Sequence, residues 1–97
     1  MNQTIPTVDI SNDGKTITYK GGDGIAKWIV GIPSLGDWQR LGRGVYKEEA
    51  LKQGIFRWLS GITENDVTVV FSPHGGLDFN LSYSVKNAKL IKIFETR

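Results

Sequence analysis

Cysteine is absent from the sequence, which removes disulfides, thiolate metal sites and a cysteine nucleophile together. Small secreted domains commonly need disulfides, so a reducing, cytoplasmic setting is expected. Histidine occurs once, at His74, and acid–base or metal chemistry there would have to recruit companions from elsewhere in the fold. No stretch approaches the ~18 apolar residues of a membrane span. The opening Met1-Asn2-Gln3-Thr4-Ile5-Pro6 has no basic segment leading into an apolar one. A soluble chain with no membrane partner is expected. Charge of one sign is in no great excess either, since a net +2 is too small to name a partner.

What the chain does have is enough apolar matter for one core. Its 97 residues are 39% apolar and include three Trp, three Tyr and four Phe, well outside the range of disordered chains. A chain of this length buries only roughly 60 to 65% of its unfolded surface, too little to divide between two cores, so residues 1–97 are read as a single domain. The charges are unevenly spread. Residues 40–57 carry Arg40, Arg43, Lys47, Lys52 and Arg57 against Glu48 and Glu49, and residues 86–97 carry Lys86, Lys89, Lys92 and Arg97 against Glu95. The remainder is acidic on balance, so a basic face arises if the two segments meet in the fold.

The clearest pattern is residues 77–85, where apolar Leu77, Phe79, Leu81, Tyr83 and Val85 alternate with polar Asp78, Asn80, Ser82 and Ser84. Successive strand side chains point to opposite faces, so this is a half-buried strand of an antiparallel sheet. Before it, residues 8–10, 16–19 and 26–32 read as a meander joined by Ser11-Asn12-Asp13-Gly14 and Gly21-Gly22-Asp23-Gly24 turns and ended by Pro33. Residues 34–44 have no sustained period and read as a loop. A helix is predicted over residues 46–60, from the stripe Leu51, Ile55, Trp58, Leu59 and Ile62, the acidic first turn Glu48-Glu49 and Gly61 beyond the end. Gly54 on its apolar side implies a close approach by another element. Residues 67–71, the Pro73-His74-Gly75-Gly76 turn, 77–85, a Lys86-Asn87-Ala88 turn and 90–95 complete a second meander. The expected fold is α+β: an antiparallel meander, one central helix and a second antiparallel meander, with the helix packed on sheet.

No catalytic constellation emerges. His74 sits in a turn sequence and is expected to be exposed. Asp9, Asp13, Asp23, Asp37, Asp66 and Asp78 fall mostly in turns, where such side chains cap their own backbone, and no calcium-loop spacing is present. Leu41-Gly42-Arg43-Gly44 precedes the predicted helix but matches neither a phosphate loop nor a dinucleotide fingerprint. No metal or cofactor is therefore expected, and an enzyme would have to show itself by a deep pocket holding His74 or two close carboxylates.

Two binding surfaces remain. Strict alternation turns Leu77, Phe79, Leu81, Tyr83 and Val85, with Val67, Val69, Phe71, Ile91 and Ile93, toward the helix. It leaves apolar Val70, Leu90 and Phe94 beside Lys92 on the other sheet face. Those residues either pack under the N-terminal strands or form a contact patch for a protein partner or a second copy. The alternative is single-stranded nucleic acid, with Trp38 as the stacking ring and Arg40, Arg43, Lys47, Lys52 and Arg57 as the cationic track. Glu48 and Glu49 interrupt that track, and the signatures of common RNA-binding and zinc-finger modules are missing. The expectation is thus a non-enzymatic module that binds a macromolecule, foremost a protein, of the kind found among bacterial and phage accessory or inhibitory proteins.

Overall fold

Turn chemistry shapes the N-terminal third. Ser11 Oγ accepts hydrogen bonds from the backbone N–H groups of Lys15 (3.1 Å) and Thr16 (3.0 Å) and donates to Asp13 Oδ1 at 2.7 Å. Gly14 completes the turn at φ +73°, where a side chain would be strained and its Cβ would lie 2.8 Å from that of Ile55. This turn joins β1 (Thr7–Ile10) to β2 (Thr16–Lys20), and a second one, closed by Gly24 at φ +79°, leads into β3 (Ala26–Gly31). The three form an antiparallel sheet in the order β1-β2-β3. Val8, Tyr19 and Trp28 share one row across it, and Ile10, Ile17 and Val30 another. The structure is a computed structural model that describes residues 5–41, 47–75 and 77–95.

Part of the expected 34–44 loop is a short helix, α1 (Leu35–Arg40). Ser34 caps it by accepting a hydrogen bond from Asp37 N at 3.0 Å, a Ser-x-x-Asp capping arrangement readable in the sequence. The cap turns Trp38 inward, where it is wholly buried.

The helix predicted over 46–60 is much shorter: α2 (Glu48–Lys52) is followed at once by β4 (Ile55–Ile62). Gly54 marks the change, since a Cβ there would meet Phe71 Cζ at 2.6 Å, Ser72 O at 2.7 Å and Pro73 Cα at 3.0 Å. The close approach foreseen at Gly54 is real, but it occurs where helix gives way to strand. Two bulges explain the misleading spacing, because the pairing of β4 with its neighbour shifts between Phe56 and Trp58 and again between Leu59 and Gly61. Each bulge adds a residue to a period of two, so the apolar positions of a strand mimic a helical stripe.

The strand β4 pairs with β5 (Asp66–Ser72), which pairs with β6 (Phe79–Ser84), which pairs with β7 (Leu90–Glu95), all antiparallel. Val67, Val69 and Phe71 face the same side as Phe79, Leu81 and Tyr83, all buried, as alternation predicts. Leu77 departs from that prediction: it precedes β6 and is 63% exposed. A bulge in β7 moves two more residues, since Ser82 pairs with Lys92 while Tyr83 pairs with Leu90. Ile91 becomes the extra, exposed residue, and Leu90 turns to the inner face, where it is buried.

The core lies between the two sheets, with α1 wedged at one end. Trp38 packs edge-on against Phe79 (ring centroids 5.1 Å apart) and Phe71 (6.0 Å), while Phe56 lies 5.3 Å from Phe71. At the other end Tyr19 stacks on Trp28, which meets Tyr83 and donates Nε1–H to Val85 O at 3.0 Å. The N-terminal strands thus cover the inner face of the four-stranded sheet, and among the described residues its outer face stays open.

Candidate functional site

On the open face one row of side chains crosses all four strands: Trp58 of β4, Val70 of β5, Asn80 of β6 and Phe94 of β7 are successive cross-strand partners. Adjacent strands are about 4.8 Å apart, so the backbones that carry the two terminal rings lie about 14 Å from each other. Trp58 is 56% exposed and Phe94 37%, whereas Val70 between them is only 3% exposed although it faces solvent.

Polar groups border this row on both sides. Thr68 Oγ1 and Ser82 Oγ hydrogen bond to each other at 2.8 Å in the next row, and Lys92 at its end holds Nζ 5.6 Å from the centre of the Phe94 ring. On the opposite side Arg57 Nε donates to Ser72 Oγ at 3.1 Å, and Ser72 Oγ in turn donates to Asp78 Oδ1. The arrangement places Lys92 over the Phe94 ring and sets the exposed Arg57 on the same face, beside Ser72. In its middle, Asn80 Oδ1 is buried and accepts no hydrogen bond. An unsatisfied buried acceptor costs roughly 1 to 3 kcal/mol, so such groups are uncommon in folded proteins.

Of the four residues read as a protein-binding patch, Val70, Lys92 and Phe94 share this face, and Leu90 does not because of the β7 bulge. Trp58 takes the place of Leu90 in the patch. The sequence reading missed it by assigning Trp58 to a helix, although Ile55-Phe56-Arg57-Trp58-Leu59 is rich in the β-branched and aromatic residues that strands favour.

The nucleic-acid set is dispersed. Trp38 is a core residue with no exposed ring, which corrects its expected role as a stacking surface. Arg40 is occupied by Leu90 O (3.2 Å) and Asp37 Oδ1 (3.4 Å). Lys47 and Lys52 are exposed at the two ends of α2, and Arg57 belongs to the open sheet face, so no single helical track joins them. Arg43 and its flanking Gly42 and Gly44 lie outside the described residues.

His74 is exposed in the turn after β5. The aspartates are engaged separately: Asp9 with Lys20 at 2.9 Å, Asp23 with Lys27 at 3.0 Å, Asp37 with Arg40 at 3.4 Å. Hydrogen bonds from Ser11 and from the Lys15 backbone hold the Asp13 carboxyl below the usual range, and the Ile25 backbone and Lys27 do the same for Asp23. Among the described residues no three His, Asp or Glu side chains converge on one point, and no helix is long and apolar enough to cross a membrane.

The chain matches no protein-family model, no curated protein and no solved structure.

Proposed function

We propose that the protein is a non-enzymatic binding module whose open sheet face, centred on Trp58, Val70, Asn80 and Phe94, takes a protein partner bearing acidic groups at its rim. The observation that carries the reading is a face bearing two exposed rings and two exposed cations, one of them Lys92 over Phe94, around a buried, unsatisfied amide oxygen. Aromatic residues and arginine are the side chains enriched at protein interfaces and at their energetic centres. A partner N–H donated to Asn80 would recover the cost of its orphaned oxygen, and carboxylates would answer Arg57 and Lys92. A second copy fits less well, because it would bring four such cations into one interface, with Asp78 already bonded by Ser72.

Panning a displayed peptide library on the wild type, with Trp58→Ala as the counter-selection, tests this. Enriched peptides that are acidic with an apolar anchor, and that lose at least ~2 kcal/mol of affinity on Trp58→Ala, support the reading. Basic peptides, or equal enrichment on the variant, sink it.

The rings beside cations also favour a second reading, single-stranded nucleic acid on this face. Against it, the two strands between the rings present Val70 and Asn80, which offer a base nothing to stack on. Fluorescence anisotropy with oligonucleotides at ~50 and ~200 mM salt separates the two, since phosphate contacts give a slope of about 0.7 per phosphate neutralised.

A further inference from the structure

Four strands form the edges of the two sheets, and among the described residues three of them are bulged. β3 carries Lys27 as an extra residue, β4 is interrupted twice and β7 once, and bulges of this kind spoil an edge for further pairing. β1 is the exception, since it pairs with β2 through four successive residues without a shift. Ser11 N–H donates to Thr16 O at 3.0 Å, which sets the phase of the ladder. Thr7 and Asp9 therefore turn their backbone groups to β2, and Val8 and Ile10 turn theirs to the free edge.

Across from that edge the larger sheet is incompletely covered. Leu59 pairs with Val69 and so faces the inside, yet it is 36% exposed whereas Val69 is wholly buried. Three strands laid over four leave one inner strand bare, and here it is β4, on the β1 side. Phe56 N–H donates to Gly14 O at 2.8 Å, and Lys15 Nζ donates to Lys52 O and Gly54 O at 2.8 Å each, which ties the β1–β2 turn to the start of β4. Beyond the tie β4 is exposed from Arg57 to Gly61, and a cleft of about 420 Å³ opens between Ile10 and Arg57.

We infer that the free edge of β1 takes an extended peptide of a partner protein, which completes the smaller sheet as its fourth strand and lies over Leu59. Main-chain bonds to Val8 and Ile10 supply the affinity, as in other cases of strand addition at a sheet edge. Val8 and Ile10 pack against the core, so the peptide residues opposite them face inward and are apolar. Asp9 between them faces solvent at a position without ladder bonds, where facing side chains stand closest, so the peptide residue opposite it is basic. The same carboxylate argues against a second copy of β1 as the partner. The antiparallel register that pairs Val8 with Ile10 of the copy sets Asp9 against Asp9. Pairing Val8 with Val8 brings Pro6, which has no N–H, against Ile10, and pairing Ile10 with Ile10 sets Val8 against Asn12 in the turn. The edge shares no residue with the open sheet face, so it stands or falls independently of the function proposed above.

Titration of the ¹⁵N,¹³C-labelled protein with an end-capped five-residue peptide tests the inference, the peptide having threonine at its ends, valine at its second and fourth positions and lysine at its centre. Saturable shifts are expected at the amides of Val8 and Ile10 and at the Leu59 methyl groups, with slowed hydrogen exchange at the two amides. N-methylation of both valines removes the N–H groups aimed at β1 and should weaken binding about tenfold or more. Aspartate in place of the central lysine should weaken it about fivefold, and Asp9→Asn should abolish that difference. Absence of saturation by about 20 mM, shifts centred on Trp58 and Phe94 instead, equal affinity for the N-methylated peptide, or a lysine preference unchanged in Asp9→Asn would each overturn the proposal.

Discussion

Among the described residues two side-chain atoms, Asn80 Oδ1 and Tyr83 Oη, are buried without hydrogen bonds, one on the open-face side of the sheet and one on the core side. Each is a local loss of stability that the isolated chain does not recover. Asn80→Val should therefore raise stability by about 1 kcal/mol, since it removes the orphaned acceptor and adds a strand-favouring side chain. A urea midpoint unchanged or lowered would show that the amide is satisfied in solution. Trp38 is the opposite case. It fills the interior between Phe71 and Phe79, and Trp38→Ala should cost about 3 to 5 kcal/mol. Trp58→Ala, on the rim of an edge strand, should cost about 1 kcal/mol or less. Equal midpoints for the two tryptophan variants in the same titration would contradict the assignment of one ring to the core and the other to a surface.

At the scale of elements, the turns and the helix-to-strand junction hold the design. Gly54 lets the chain leave α2 and enter β4 within van der Waals reach of Phe71 and the Ser72 backbone. Gly54→Ala forces backbone apart and should destabilise by about 1 to 3 kcal/mol, read from the thermal transition. The β1–β2 and β2–β3 turns bind Asp13 and Asp23 in their ionised forms, which lowers both carboxyls below their unfolded values. A depressed folded value means that the stabilisation is present above the unfolded pKa and is lost as the pH falls through the folded one. Stability should thus be insensitive to these groups above about pH 5 and decline below about pH 4. In a pH series of denaturant midpoints, Asp13→Asn should show a shallower acid decline. A parallel curve would mean that the Ser11–Asp13 turn does not persist in solution.

For the whole molecule, one face of the four-stranded sheet is spent on the core and the other is left open. That asymmetry follows from order along the chain: the N-terminal meander and α1 fill one side, and among the described residues no later element returns to cover the other. Sedimentation of the wild type and of Phe94→Asp reads the consequence. A monomer in both agrees with an acidic partner of different sequence. A dimer that dissociates on Phe94→Asp would make a second copy of this chain the partner.

By itself the sequence determined the strands whose patterns are local. Perfect alternation in Phe79-Asn80-Leu81-Ser82-Tyr83-Ser84 and glycine-closed turns around β2 admit few other conformations, and both meanders stand within a residue or two of where these signals put them. The capping pair Ser34 and Asp37 is equally local. Tertiary structure alone decided β4, the inward turn of Leu90 and the burial of Trp38. Bulges exist only where a strand meets its partner, and they shift apolar residues between faces without leaving a mark in composition. The open face was legible in Val70, Lys92 and Phe94, but Trp58 joined it only through pairing with β5. The free edge of β1 was not legible at all. Alternation marks a strand but not its neighbours, and which edge stays regular and which inner residue stays bare emerge only when the two sheets pack.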